Sequence, residues 1–178
     1  MFATGDLQAF LDRVGAEADA VFAYPTETVY GLGCRITSEA GLERICALKG
    51  REAAKGMIVL VASLAQAREL AEIDEHAAAI LNRFWPGPLS VLLPARPGLP
   101  ELLTPSGKIA LRHSPLAAAT AIVAALGPIT STSANPSGMK PALNFDELLA
   151  YGLAADAALD GGVIAGGQPS TLVDLSGA

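Results

Sequence analysis

The chain has 178 residues, with 51% hydrophobic and 17% charged residues and a formal net charge of −6. That length and apolar content specify a chain able to bury a core, and they exclude a disordered or low-complexity protein. The acidic balance argues against broad electrostatic binding to nucleic acid. No apolar run reaches the roughly 18 residues that a membrane span needs. The first residues, Met1 to Asp6, lack a basic segment followed by an apolar stretch, so no signal peptide is expected and the protein is read as soluble and cytoplasmic.

In chain order, Asp6 caps an amphipathic helix over 6–19, with Leu7, Phe10, Leu11 and Val14 on one face. Val21-Phe22-Ala23-Tyr24 reads as a strand broken by Pro25, and a glycine-punctuated β segment follows over 28–33. Ser38 caps a helix running to about Leu48. The continuous apolar run 57–62 predicts a strand covered on both faces. Ser63 with Gln66 forms a capping box for the next helix, and residues 75–84 predict another, ended by Trp85-Pro86-Gly87-Pro88. Strands are expected at 89–93 and 109–112, on either side of a Pro/Gly-rich loop, and a helix at 115–126. Residues 128–130 lead as a short strand into a Ser/Asn loop. Asn144 with Glu147 opens a helix to about Tyr151, and late strands are expected at 158–164 and 171–175. Alternating strands and helices with no long linker predict one α/β domain over 1–178, an open, twisted, mixed sheet with flanking helices.

Cys34 and Cys46 fit no zinc knuckle, and His76 and His113 stand apart from any acidic or cysteine cluster, so no protein-held metal is expected. No phosphate-binding glycine loop of the Walker or dinucleotide type is present, and no Ser-His-Asp or Cys-His set stands out. Candidate chemistry lies elsewhere. Lys49, Arg51 and Lys55 put three cations on seven residues before a buried strand. Ser131-Thr132-Ser133-Ala134-Asn135 puts three further polar groups beside Ser131 just after one. Arg112 closes a strand, and Thr26-Glu27-Thr28 follows the first one. Strand ends of α/β sheets collect ligand groups, and cations and hydroxyls suit a phosphorylated or carboxylated ligand. Each feature also has an ordinary reading: helix-end cations favoured by the dipole, a Ser/Asn turn, half-exposed strand residues. A locally basic cleft in an acidic protein suits a small anion better than a polymer.

Four motifs, in this order, resemble a known family: Tyr24-Pro25-Thr26-Glu27-Thr28-Val29-Tyr30-Gly31-Leu32-Gly33, Lys49-Gly50-Arg51, Trp85-Pro86-Gly87-Pro88, and Ser131-Thr132-Ser133-Ala134-Asn135-Pro136-Ser137-Gly138. They match the YrdC/TsaC type of threonylcarbamoyl-AMP synthase in its short, single-domain form, and Pro169-Ser170-Thr171-Leu172-Val173-Asp174 resembles a further family segment. The resemblance implies a YrdC-like fold. It implies a nucleotidyltransferase that joins L-threonine, bicarbonate and ATP into L-threonylcarbamoyl-adenylate and pyrophosphate. That product feeds the N6-threonylcarbamoyl modification of adenosine 37 in tRNA. The family's catalytic and ATP-binding tetrad falls on Lys49, Arg51, Ser133 and Asn135, with Lys55 helping to hold ATP. Thr28, Ser131, Arg112 and Ser170 are implied for threonine. Mg2+ is expected to arrive with ATP rather than in a protein cage. Hand-off to a tRNA-threonylcarbamoyl transferase complex is implied, with direct tRNA contact weak. Glu52 stands where the family often has proline, and His113-Ser114-Pro115 follows Arg112 where an apolar residue and a proline are usual. The alternatives are a double-stranded RNA or tRNA-binding module without synthase activity and a carbamoyl-transfer domain like that of larger hydrogenase-maturation proteins.

Overall fold

The computed structural model describes residues 1–50, 56–136 and 138–177. Arg51, Glu52, Lys55 and Ser137 lie outside the described residues. The described chain carries ten strands: β1 (Phe2–Thr4), β2 (Phe22–Pro25), β3 (Tyr30–Gly33), β4 (Ile58–Leu60), β5 (Leu89–Pro94), β6 (Lys108–Arg112), β7 (Ile129–Thr130), β8 (Thr132–Ser133), β9 (Ala157–Leu159) and β10 (Thr171–Asp174). Its helices are α1 (Leu7–Gly15), α2 (Glu39–Lys49), α3 (Leu64–Leu70), α4 (Glu75–Phe84), α5 (Ala117–Leu126) and α6 (Phe145–Ala150).

The α/β class and the mixed pairing hold, but the strands divide between two five-stranded sheets where the sequence suggested one. The first has the order β1-β9-β2-β3-β8 and the second β10-β5-β6-β4-β7. The strand 129–133 joins them. Ile129 and Thr130 pair with Leu60 and Val59, and Thr132 and Ser133 pair with Leu32 and Gly31. Between them the Ser131 N–H donates to the Ile58 carbonyl at 2.7 Å, so no backbone donor is orphaned where the chain changes sheets. Two-residue strands carry too little pattern to reveal such a crossing in advance.

Helix ends follow the sequence closely, because caps are local. Asp6 accepts from the Gln8 and Ala9 N–H groups at 2.8 and 3.1 Å, and Ser38 from Gly41 at 2.8 Å. Gln66 and Glu147 reach back to the N–H groups of Ala62 and Leu143, each at 2.8 Å, one residue beyond the usual box. Gly50 ends α2 in the left-handed region at φ 53°, which sets the direction in which the chain leaves Lys49. The first helix is shorter than expected, stopping at Gly15, and the predicted strand 158–164 is confined to Ala157–Leu159. The 160–167 stretch leaves the sheet to pack on the β2–β3 turn. There the Gly167 N–H donates to the Thr28 carbonyl at 3.1 Å, and the Tyr30 hydroxyl accepts from Gly161 and donates to Gly162, both at 2.9 Å.

Side chains of β2 alternate between two cores. Phe22 and Tyr24 pack with Phe10, Val14, Ile122 and Leu159 under α1 and α5, while Val21 and Ala23 join Leu32, Ile45, Val59, Val91 and Leu111 between the sheets. Burial on both faces explains why this strand reads as a continuous apolar run. Phe10 meets Phe22 edge-on at 5.7 Å between ring centroids. Arg44 grips Asp156 through two hydrogen bonds of 2.9 Å, and Asp156 also accepts from the Val21 N–H at 2.8 Å.

The Arg44 pair, helped by the Val21 N–H, holds the Asp156 carboxyl below its ordinary range. Its stabilisation is therefore present above the ordinary carboxylate pKa and is lost as pH falls through the lowered one. Asp156→Asn is expected to cost about 1–2 kcal/mol at pH 7, kept small by solvent around Arg44, with the gap to wild type closing in acid-unfolding curves as pH falls below the ordinary carboxylate range. A second variant probes strand contact. A Cβ on Gly33 would collide with the Thr130 carbonyl oxygen, a backbone atom that cannot swing away. Gly33→Ala is expected to destabilise by about 2 kcal/mol or more, read as a fall in thermal midpoint of about 4–8 °C.

Candidate active site

A cavity of about 610 Å3 among the described residues opens where both sheets converge. Gly31, Thr132 and Ser133 reach it from the first sheet, Val29 from the β2–β3 turn, and Ile58, Leu92, Ala110, Arg112 and Leu172 from the second. Its size suits a ligand larger than a single amino acid. Met57, Leu103, Pro105 and Leu172 give it an apolar part, and hydroxyls and two cations supply the polar part.

The sequence candidates converge here. Thr28, Ser131, Ser133, Arg112 and Ser170 all line the cavity. They come from the β2–β3 turn, the joint between the sheets, the end of β6 and the start of β10. Register explains the approach: Gly31 opposite Ser133 places the β2–β3 turn beside the Ser/Asn loop, and the parallel β10 brings Ser170 to Ser90, hydroxyl to hydroxyl at 2.8 Å. Arg51 and Lys55 lie outside the described residues.

Lys49 is the last residue of α2 and is only 7% exposed. Its Nζ donates to the Ser133 carbonyl at 2.6 Å, the Asn135 carbonyl at 2.8 Å and Asn135 Oδ1 at 2.9 Å, with a longer contact to Ser133 Oγ at 3.3 Å. Asn135 Nδ2 donates in turn to the carbonyls of Pro136 and Met139, at 3.1 and 2.5 Å. Lys49 and Asn135 are thus tied to the cavity through Ser133 and do not themselves belong to its described lining. A buried ammonium gathering carbonyl oxygens fixes a polar loop that would otherwise be a loose turn.

Arg112, 4% exposed, holds the other end of the site. Its Nη2 donates to Thr28 Oγ1 at 3.0 Å and to Glu27 Oε1, and the second oxygen of Glu27 accepts from Ser114 Oγ. Its Nε is buried without a hydrogen-bond partner among the described residues. Thr26 donates its only hydroxyl hydrogen to the Val29 carbonyl at 2.7 Å, so in the 3.0 Å contact between Thr26 and Thr28 it is Thr28 that donates. Thr28 Oγ1 therefore accepts from Arg112 with its own hydrogen already committed. Lys108, the second cation of the cavity wall, pairs with Asp174 at 3.1 Å. Two hydrogen bonds from Ser176, then Lys108, bring the Asp174 carboxyl down to about 2.

The expected basic cleft thus contains, among its described wall residues, two cations that each face a carboxylate. Glu27, marked in the sequence only as part of Thr26-Glu27-Thr28 and given no role, binds Arg112, and Ser114, not marked there, binds Glu27. Glu27 reads as a half-exposed strand residue, and its partner Arg112 lies 85 residues away. The His113 ring meets Trp85 edge-on at 6.3 Å, and burial lowers its pKa against the pull of Glu27. Trp85 donates its indole N–H to the Leu89 carbonyl at 2.8 Å, which ties down the turn that ends α4. Cys34 lies in the core with Thr130, where burial pushes its thiol up to about 11, away from nucleophilic use.

Lys49→Met is expected to leave the Ser133 and Asn135 carbonyls unsatisfied and to cost about 2–3 kcal/mol. Amide hydrogen exchange across 132–136 should accelerate more than exchange in α1; uniform acceleration would mean that Lys49 supports the fold at large.

The Sua5/YciO/YrdC family model, described as telomere recombination, matches residues 16–178. The threonylcarbamoyl-AMP synthase of Thiobacillus denitrificans is 36% identical over 173 residues, covering 96% of this chain and 89% of that protein. The threonylcarbamoyl-AMP synthase of Chromohalobacter salexigens is 39% identical over 162 residues, covering 88% and 86%. The crystal structure of P. abyssi Sua5 complexed with L-threonine superposes with a TM-score of 0.91 at 32% identity; it matches 98% of this chain, which spans only 54% of that one. E. coli YciO, at 24% identity and a TM-score of 0.85, shares the fold over 98% of this chain. With two sheets joined at one strand, a cavity at the joint and these relatives over nearly its whole length, the chain belongs to the Sua5/YciO/YrdC family.

Proposed function

We propose that the cavity brings L-threonine, bicarbonate and ATP together and releases L-threonylcarbamoyl-adenylate and pyrophosphate. The protein is a threonylcarbamoyl-AMP synthase, a nucleotidyltransferase acting in tRNA modification. The observation that carries the site reading is the meeting of Thr28, Arg112, Ser131 and Ser133 around one cavity, with Lys49 fixing the Ser133–Asn135 loop.

The threonine amine condenses with bicarbonate to give a carbamate and water. A carbamate oxygen then attacks the α-phosphorus of ATP, and pyrophosphate leaves. No side chain is needed as a covalent nucleophile, so the protein contributes positioning and charge neutralisation. Arg112 takes the threonine carboxylate through the guanidinium nitrogens that Glu27 and Thr28 do not occupy. Thr28 Oγ1, with its hydrogen committed to Thr26, accepts a hydrogen bond from the amino acid. Ser131, and Ser170 braced by Ser90, complete the threonine side. Ser133 and Asn135, held by Lys49, orient the triphosphate and carbamate. Arg51 and Lys55 supply charge to the phosphates together with Lys49.

Mg2+ enters on the nucleotide. Among the described residues no cluster of three His, Cys, Asp or Glu could hold a metal ion, and phosphate oxygens and water would supply the ion's ligands. Among the described residues no helix is long and apolar enough to cross a membrane, and the proposed setting of the reaction is the cytoplasm. The adenylate is reactive and passes to a tRNA-threonylcarbamoyl transferase complex. A net charge of −6 with the described cavity cations paired gives no support to a polymer-binding module.

Pyrophosphate release should require threonine, bicarbonate and ATP together. Arg51→Ala and Lys49→Ala should each lower it by about 100-fold or more, the scale of a lost charge-stabilising donor. Wild-type rates in both variants would remove these residues from the mechanism.

A further inference from the structure

Arg112 is an unusual ligand for a carboxylate, because it already has one. Glu27 sits on Nη2, and the rest of Glu27 is itself anchored by Ser114, whose hydroxyl donates to the other carboxylate oxygen. The Glu27 side chain is 20% exposed and that of Arg112 5%, so the pair is largely shielded from solvent. A buried arginine with a purely structural role has its donors satisfied. Here, among the described residues, Nη2 is the only guanidinium nitrogen with a hydrogen-bond partner, and the buried Nε has none. The residue also borders the cavity at the joint of the sheets. One side of the guanidinium is therefore fixed by protein while the rest remains uncommitted.

We infer that Glu27 is a positioning residue for substrate: a built-in counter-ion that fixes the orientation of Arg112 and offsets its charge before an amino-acid carboxylate binds. This rests on the reading that Arg112 receives the threonine carboxylate. A bare buried guanidinium would bind a carboxylate more tightly but in a less defined orientation, because an uncompensated buried charge is costly and any anion relieves it. With Glu27 in place, the incoming carboxylate adds to a preset geometry and competes with an internal one. Glu27 thus lowers affinity for the amino acid and raises the fraction of complexes poised to react. The relay Arg112 to Thr28 to Thr26 to the Val29 carbonyl extends that preset geometry to the β2–β3 turn.

The test compares Glu27→Gln, which keeps the shape and removes the charge, with Glu27→Ala, which removes both. Thermal shifts are recorded with L-threonine and with L-threoninamide, which lacks the carboxylate, and threonine-dependent pyrophosphate release is measured in parallel. Glu27→Gln should bind threonine about threefold or more tightly than wild type and show no such gain for the amide. Glu27→Ala should lose about tenfold or more in kcat, with the ATP KM within about twofold of wild type. A threonine shift in Glu27→Gln equal to or smaller than wild type overturns the inference, as does an equal rise of both KM values. If Glu27→Gln does not fold, Glu27→Gln/Arg112→Gln decides: removing both charges should restore folding, and failure of this pair as well makes the role structural and overturns the inference. Wild-type protein that releases no pyrophosphate removes the synthase reading alone, provided Glu27→Gln still gains carboxylate-dependent affinity; without that gain both fall.

Discussion

Everything that the site brings together depends on one strand that belongs to two sheets. Leaving β7 and entering β8, the chain has a single residue, Ser131, in which to change partners, and the bond from its N–H to the Ile58 carbonyl satisfies the backbone at the changeover. Cys34 reinforces the joint from the side: its N–H donates to Thr130 Oγ1 at 3.0 Å and its carbonyl accepts from the Thr130 N–H at 2.9 Å. Because Gly33 has no side chain, β3 can lie close against the Thr130 carbonyl, and the cavity is lined from both sheets at this joint. The cavity is a consequence of how two sheets share a strand.

Two buried cations then turn a cavity into a site, by different means. Lys49 is a point charge collecting carbonyl oxygens, and its effect is to hold a loop. Arg112 is a planar fork whose one nitrogen is occupied by Glu27 and Thr28, and its effect is to present the others at a fixed angle. Burial makes both interactions strong and makes them dependent on complete pairing, since an orphaned partner at either position would be left without water. The hydroxyls of Thr28 and Ser133 are each held by one of these two anchors. Such an arrangement suits a reaction that needs reactants aligned more than it needs a nucleophile.

Local features were legible from residue order alone. The caps at Asp6, Ser38, Ser63 and Asn144, the stop at Gly50, the turn at Trp85 and the apolar strands around Val59 and Val91 follow from side chains acting on neighbours a few residues away. The polar stretches around Thr28, Lys49, Arg112 and Ser133 could be picked out for the same reason, as donors and cations at strand and helix ends, and the ordered motifs named the family.

What residue order could not show is anything set by contacts over long separations. Neither the division into two sheets nor the edge position of β10 is written in a strand's own pattern, because pairing depends on which distant strand offers a matching edge. The partnership of Glu27 with Arg112 and Ser114 is invisible for the same reason, and so is the fact that Lys49 serves the Ser133–Asn135 loop before any ligand arrives. Residue identity determined which groups could carry charge and donate hydrogen bonds. Tertiary packing decided which of those groups are already committed to one another, because burial converts a nearby charge from a weak, solvent-screened neighbour into an obligatory partner.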